Sequence, residues 1–115
     1  MSESKHWWEG YPWRMIQTNF RETDMADLDA KRYVRDVKDF GATVVMVNAA
    51  GIIASYDTQV PCHTKSEYLT GDSLRTLLDE CHRAGLRVIA RTDFSKVRYP
   101  LYEAHPDWVF RTAQG

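Results

Sequence analysis

Polar side chains follow each of three apolar runs in this sequence, and their types suit a ligand that carries many hydroxyl groups. They are the amides Asn19 and Asn48, the guanidinium groups Arg21 and Arg91, and the carboxylate Asp93. Groups of these kinds can hydrogen-bond hydroxyls in pairs, so several of them at one rim favour a carbohydrate ligand. Taken singly, each residue is also explained as the ordinary polar end of a strand.

Aromatic residues in predicted loops supply a second feature of a sugar site, a flat face for stacking. We predict this role for Trp108, and Tyr56 and Tyr68 could share it. A separate aromatic group precedes the first apolar run and consists of Trp7, Trp8, Tyr11 and Trp13. We interpret this group as a plug that packs on one end of the fold. The alternative is a carbohydrate platform.

Asp93 is the best single candidate for an acid. It directly follows the third apolar run, where partial burial could shift its pKa. The alternative is an ion pair with Arg91 or Lys96. A glycosidase needs two carboxyl groups, about 5–5.5 Å apart for retention or about 6.5–9.5 Å apart for inversion. Asp24 and Asp57 are loop acids without a supporting pattern, so the catalytic residues are not predicted.

The cysteines and histidines do not have metal-ligand spacing. Cys62 and Cys81 form no Cys-x-x-Cys motif, and the four histidines form neither His-x-His nor His-Glu-x-x-His. We therefore expect no metal and no cofactor. The neighbours Cys62 and His63 lack an orienting third group, so we predict loop packing for them. Two reduced thiols in a cytoplasmic protein are expected, with a disulfide between them left open.

A predicted alternation of strands and helices positions these residues. Strands are predicted over residues 14–19, 43–47 and 86–91, and helices over residues 30–40 and from Thr70 or Asp72 to Ala84. The run over 43–47 is apolar without a break, which is typical of a parallel strand covered on both faces. Residues 20–28 are polar and acidic and are predicted to form a loop.

Both predicted helices carry one apolar stripe, and capping or terminating residues mark where they begin and end. Asp29 can cap the first helix through its carboxylate, and Gly41 can end it in a left-handed conformation. The stripes follow helical spacing. They consist of Tyr33, Val34, Val37 and Phe40 in the first helix, and of Leu74, Leu77, Leu78 and Cys81 in the second.

The last part of the chain has a different pattern. We predict a short helix over residues 99–105 that Pro106 stops, a brief strand over 107–111 and a turn over 112–115. Because a domain rarely ends on a tight-turn glycine, we expect the chain to be truncated at its carboxyl end. The predicted domains are an aromatic-rich lead-in over residues 1–13 and a partial barrel over residues 14–115.

The helix–glycine–strand unit occurs twice, with short turns before the strands and long loops after them. This arrangement predicts an α/β fold with parallel strands and a binding rim at their carboxyl ends. The order of elements matches the start of a (β/α)₈ barrel or of a doubly wound sheet. A whole barrel needs about 250 residues, so the chain would contain about three β/α units. A complete flavodoxin-like domain is the competing interpretation, but it would need about five strands.

Composition excludes several classes of partner. Lys and Arg number 15 against 16 Asp and Glu, a formal net charge of −1 without a basic cluster, so nucleic-acid binding is not expected. No apolar run approaches the about 18–20 residues of a membrane span. Residues 1–6 are polar and do not resemble a signal peptide. Exposed sheet edges make a homo-oligomer possible.

The segments that carry the pattern resemble one family. They cover residues 13–22, 40–48, 51–52, 85–96 and 104–108, the last being Ala-His-Pro-Asp-Trp. The chain resembles the amino-terminal part of the hypothetical glycosyl-hydrolase-like barrel proteins, relatives of the β-galactosidase and α-L-fucosidase barrels. The resemblance implies a TIM (β/α)₈ domain that acts on glycosidic bonds, with catalytic carboxylates on later strands. It implies ligand contacts for the five strand-end residues, without an acid or nucleophile among them.

Two other functions stay open at this point. One is a non-catalytic carbohydrate-binding domain, or an α/β domain that depends on a partner chain. The other is a metal-dependent isomerase or hydrolase on a similar barrel.

Overall fold

The computed structural model describes residues 6–115 and contains one parallel sheet. Its strands are β1 (Met15–Gln17), β2 (Val44–Ala50) and β3 (Arg87–Thr92), in the order β1-β2-β3. Ile16 lies opposite Val45, which in turn lies opposite Val88. The predicted α/β class with parallel strands is confirmed. The prediction that the chain begins without a signal peptide falls mainly on residues 1–5, outside the described residues.

Helices α1 (Ala30–Asp39) and α2 (Ser73–Arg83) connect the strands, as the apolar stripes predict. The Asp29 carboxylate accepts a hydrogen bond from the Arg32 backbone N–H at 3.0 Å, so the predicted cap of α1 is confirmed. Asp72 caps α2 in the same way through the Arg75 N–H at 3.3 Å. Gly41 ends α1 with a φ of +97°, a left-handed conformation that favours glycine.

The hydrophobic core lies between the two helices and one face of the sheet. Its buried residues are Ala30, Val34, Val37, Ala42, Val45, Val47, Ala49, Leu74, Leu77, Cys81 and Leu86. Three of the four predicted stripe positions in each helix are buried or packed against this core. Leu78 of α2 is half-buried and does not belong to this core, and Phe40 of α1 is 83% exposed. Phe40 is the C-cap residue and follows the last helical residue of α1, so its predicted place on the packed face of that helix is wrong.

The opposite face of the sheet is less well covered. β2 is buried along most of its length, whereas β3 consists of exposed and half-buried residues. On β1, Met15 is 45% exposed. The prediction that the strand over 43–47 is covered on both faces therefore fits β2, whereas β3 has no fully buried residue. β3 pairs with β2, and in the described sheet it is an edge strand.

Two irregular stretches differ from their predicted conformation. The predicted loop over 20–28 contains a 3-10 helix (Glu22–Ala26), whose first turn is held by the Asp24 carboxylate accepting from the Arg21 N–H at 2.7 Å. The predicted helix near the carboxyl end is present as α3 (Tyr99–Ala104). The predicted strand over 107–111 is wrong, since a 3-10 helix (Pro106–Trp108) forms instead. Proline sets a helical φ there, and the chain that follows pairs with none of the described strands.

The aromatic lead-in packs at the amino ends of the strands. The Tyr11 hydroxyl donates to the Thr43 carbonyl oxygen at 3.3 Å, and the Arg87 guanidinium lies 5.2 Å from the centre of the Trp7 ring. Thr43 also accepts a hydrogen bond from the Arg14 N–H through its hydroxyl at 2.9 Å. These contacts agree with the interpretation of the lead-in as a plug, and they place it at the end of the sheet remote from the predicted rim.

The two cysteines do not form the disulfide that the sequence left open. Cys62 is exposed and Cys81 is buried, and both are free thiols. Across residues 6–115, the helices are too short or too polar to cross a membrane.

Candidate functional site

A cleft of about 360 Å³ lies at the carboxyl ends of β2 and β3. Its walls come from the segment after β1, the end of β2 with its following loop, and the segment after β3. The lining residues are Phe20, Arg21, Glu22, Asn48, Ala50, Gly51, Ile52, Ile53, Ser55, Asp93, Ser95, Lys96 and Arg98. The cleft therefore occupies the rim at which the parallel strands deliver their polar ends.

Three of the six predicted site residues line this cleft, namely Arg21, Asn48 and Asp93. Asn19 and Arg91 meet beside them, because the Arg91 Nη1 donates to the Asn19 Oδ1 at 3.4 Å although 72 positions separate the two residues. Parallel pairing explains the meeting, since it brings the ends of successive strands to one edge. Five of the six residues are thus brought to one rim.

The sixth predicted residue, Trp108, lies outside this cleft and lines a neighbouring groove. The other two aromatic candidates line neither space. Tyr56 packs against the hydrophobic core, and the backbone N–H of Tyr68 donates to the Ser66 hydroxyl at 3.2 Å. Stacking on a ligand in the cleft is therefore not a role that either tyrosine can take in this arrangement.

Asn48 is held in place by the chain that follows β1. Its side-chain oxygen accepts a hydrogen bond from the Phe20 N–H at 3.2 Å. This bond uses the amide oxygen and leaves the amide N–H₂ group as a donor toward a ligand. Asn48 therefore ties the wall after β1 to the end of β2.

Asp93 differs from its predicted state. The residue is exposed, and hydrogen bonds from the Ser95 hydroxyl and backbone N–H hold the pKa of its carboxyl below the ordinary value. The charges of Arg91 and Lys96 lower this pKa further. The Ser95 N–H lies 3.0 Å from Oδ1. The prediction that burial shifts the pKa of Asp93 is wrong, because the hydrogen bonds and charges outweigh desolvation. At neutral pH the group is a carboxylate that accepts hydrogen bonds.

The structure adds a second carboxylate that the sequence analysis missed. Glu22 lines the cleft, and its Oε2 forms an ion pair with the Arg98 Nη2 at 3.1 Å. Its other oxygen, Oε1, is buried and has no hydrogen-bond partner among the described residues. In the sequence, the indication of a site role for Glu22 was its position next to Arg21 in the first family-like segment. Arg98 had no such signal, since it comes from an irregular stretch 76 positions away.

Backbone packing brings the floor of the cleft close together. The Asp93 N–H donates to the Ala50 carbonyl oxygen at 3.1 Å, and a Cβ atom added to Gly51 would lie only 2.5 Å from the Asp93 carbonyl oxygen. Glycine is thus required here because two backbone segments approach each other closely. A ring nitrogen of His63, Nε2, lies 3.1 Å from the Gly51 oxygen, which agrees with the predicted packing role of the loop residues Cys62 and His63.

The assembled groups can recognise a polar, uncharged or weakly charged ligand. Two carboxylates accept hydrogen bonds, while one amide and three cations donate them, and the ion pairs leave the cleft close to neutral. Within residues 6–115, no three His, Cys, Asp or Glu side chains lie close enough together to hold a metal ion. Donors and acceptors of these kinds are able to hydrogen-bond hydroxyl groups.

Parallel strands joined by helices, with a polar cleft at their carboxyl ends, define the class of α/β proteins that bind ligands at this rim. The family described as hypothetical glycosyl hydrolase 6 matches residues 29–115, more than half of the chain, and the chain belongs to this family. No curated protein and no solved structure gave a match. The predicted resemblance to a glycosyl-hydrolase-like family is confirmed. The relation to β-galactosidase and α-L-fucosidase barrels stays a prediction.

Proposed function

We propose that this chain contributes the first three β/α units of a glycoside hydrolase (β/α)₈ barrel and binds a carbohydrate at the cleft. The observation that carries the proposal is the meeting of Arg21, Asn48 and Asp93 in one cleft at the carboxyl ends of parallel strands. This end of a barrel is where binding loops collect. Family membership supports glycosidic bonds as the target.

The sheet supports the barrel. β1, β2 and β3 follow one another in sequential order, and both connecting helices share a core with the same face of β2. A barrel has this arrangement, with helices outside and the opposite strand face inside. The exposed edge strand β3 and the partly exposed second face are surfaces that neighbouring strands of a barrel would cover.

The two carboxylates of the cleft fit ligand binding better than proton donation. Asp93 is kept ionised by Ser95, and Glu22 is paired with Arg98. A general acid must hold its proton near neutral pH, which requires a raised pKa. We therefore assign Asp93 and Glu22 to hydroxyl contacts, and we propose that the acid and the nucleophile or base come from other strands of the barrel.

We also propose a compartment and partners for this chain. The free thiols of Cys62 and Cys81 support a reducing compartment such as the cytoplasm. The partner we propose is the carbohydrate itself, and self-association through exposed strand edges is a second possible contact.

The test measures carbohydrate binding and hydrolysis together. The protein would be screened on a glycan array and with a panel of nitrophenyl glycosides, followed by titration calorimetry with each retained sugar. Asp93→Asn should weaken binding about 10- to 100-fold, since a hydrogen bond to a charged group contributes about 1.5–3 kcal/mol.

Asp39→Asn is the matched control. It makes the same change of charge at the last residue of α1, near the amino end of β2 and thus at the other end of the sheet. It should leave binding unchanged. A folded protein that binds no sugar on the array and cleaves none of the glycosides would refute the proposal. Binding without cleavage is the result expected of this chain, because we propose that the acid and the nucleophile or base come from other strands of the barrel.

A further inference from the structure

A second groove adjoins the cleft, and its walls are mainly aromatic. It has a volume of about 450 Å³ and shares Ser95 and Lys96 with the cleft. We name it the aromatic groove after Phe94, Tyr99, Tyr102, Trp108 and Phe110. Cleft and groove are therefore neighbours along the segment after β3. Each volume falls in the range of about 300–1,000 Å³ that is usual for small-ligand sites.

Trp108 is a fixed platform in this groove. Its ring stacks on the ring of His105 with centroids 3.7 Å apart and an angle of 7° between the planes. The residue is still 59% exposed, so the stacking occupies one face and leaves the other side of the indole open. A ring held in this way loses little conformational freedom when a ligand stacks on it.

Polar groups border the aromatic surfaces. The hydroxyls of Tyr99 and Tyr102 make no hydrogen bond to any residue from 6 to 115, and neither does the Lys96 ammonium. Flat apolar faces beside free donors and acceptors match a sugar ring, which has C–H groups on its faces and hydroxyls at its edge. A purely apolar helix would leave these polar groups buried without partners.

We propose that the aromatic groove is a second sugar subsite and that the natural ligand is an oligosaccharide of at least two linked units. One unit lies in the cleft on Asp93 and Asn48, and the next stacks on Trp108. Lys96 stands at the junction and donates to a hydroxyl or to the linking oxygen. This inference rests on the proposed function, since it extends the same site to a longer ligand.

The experiment compares chain lengths. A glycan array with mono- to tetrasaccharides of gluco-, xylo-, manno- and galacto-oligosaccharides identifies the retained series, and titration calorimetry then gives Kd for each length. We expect the wild-type protein to bind the disaccharide or trisaccharide at least tenfold more tightly than the monosaccharide. Trp108→Ala should remove that gain, about 1.4 kcal/mol for a tenfold change, and leave the monosaccharide Kd within twofold.

Two variants make the result specific. Trp108→Phe keeps an aromatic face and should keep most of the gain. Phe40→Ala removes an aromatic ring that is more exposed than Trp108 and lies outside both spaces, and it should change nothing. Thermal unfolding followed by circular dichroism confirms that each variant is folded.

The outcomes separate this inference from the proposed function. If the monosaccharide binds and Asp93→Asn weakens it, but affinity does not rise with length, the second subsite is refuted and the first stands. If light scattering shows a dimer that Trp108→Ala converts to a monomer, the groove is a contact between two copies and the inference is wrong. Absence of binding to every glycan refutes both proposals.

Discussion

Replacing Gly51 with alanine tests the close packing beneath the cleft. The new Cβ atom would lie 2.5 Å from the Asp93 carbonyl oxygen, whereas ordinary contact begins near 3.4 Å. The neighbour is backbone and cannot rotate away, so the ends of β2 and β3 must separate by about 0.9 Å. This movement stretches the 3.1 Å hydrogen bond from the Asp93 N–H to the Ala50 oxygen.

We expect Gly51→Ala to lower the free energy of unfolding by about 2 kcal/mol, in the range for overpacked sites, and to weaken carbohydrate binding about tenfold by displacing Asp93. Urea denaturation followed by tryptophan fluorescence measures the first effect, and calorimetry with a sugar from the array measures the second. Gly71→Ala is the control. Gly71 has a φ of +61° and open space around it, so alanine costs about 1–2 kcal/mol of conformational strain without moving Asp93.

The two glycine variants should therefore lose similar stability, and Gly51→Ala alone should lose affinity. A Gly51→Ala protein as stable as the wild type, within about 0.3 kcal/mol, would show that β2 and β3 do not approach as closely as the structure has them. Equal losses of affinity in both variants would attribute the effect to stability and not to the position of Asp93.

Three further predictions concern the core, the thiols and pH. Leu77→Ala should lower the free energy of unfolding by about 2–5 kcal/mol because Leu77 is fully buried, whereas Phe40→Ala should change it by less than about 0.5 kcal/mol. Chemical denaturation measures both effects, and equal effects would contradict the assigned core. Iodoacetamide should modify exposed Cys62 quickly and Cys81 only on unfolding, because burial raises the pKa of the Cys81 thiol from 9.0 to about 11. The pKa of this thiol is higher in the folded than in the unfolded protein, so its contribution to stability is present below about pH 9 and is lost as the pH rises toward about 11. Mass spectrometry measures the modification of each thiol. Urea midpoints across this pH range, with Cys81→Ala as the control, measure the loss of stability. Carbohydrate affinity should stay level from about pH 8 to about pH 5, because hydrogen bonds from Ser95 hold the pKa of Asp93 below 3.8. A loss of affinity centred near about pH 6, absent from the Asp93→Asn variant, would show that Asp93 takes up a proton in this range and would refute the prediction.

Local signals predicted most of the fold. The caps Asp29 and Asp72 and the left-handed turn at Gly41 act within a few residues, so the helix bounds followed from the sequence to within one or two positions. Phe40 shows the limit of periodicity. Helical spacing identifies the apolar face of α1, but it does not show where the neighbouring sheet stops contacting that face.

The carboxyl-terminal segment shows a second limit. An apolar run after Pro106 resembles a strand, yet a strand forms only where a partner offers free backbone groups. In the described chain, residues 107–111 have no such partner, and the stacking of Trp108 on His105 accompanies a 3-10 turn instead. Whether a short run pairs is decided by tertiary neighbours that the local pattern does not contain.

The sequence predicted those site residues that follow a predicted strand and missed those in irregular segments. Asn48 and Asp93 were found because they follow predicted strands, and parallel pairing brings the ends of such strands to one rim. Glu22 and Arg98 were missed because they come from irregular segments and meet across 76 positions through an ion pair. The state of Asp93 was misjudged because a turn with Ser95, two residues on, keeps it in solvent.

The position of β2 in the middle of the sheet has a consequence for local opening of the fold. Among the described strands it alone has hydrogen-bonded neighbours on both sides, and most of its residues are buried. Its amides should therefore exchange with deuterium most slowly, and those on the outer side of β3 should exchange early. Opening of the molecule then begins at the edge strands β1 and β3. Because β3 carries Arg91 and leads into Asp93, a bound ligand that bridges β2 and β3 would slow exchange at the rim.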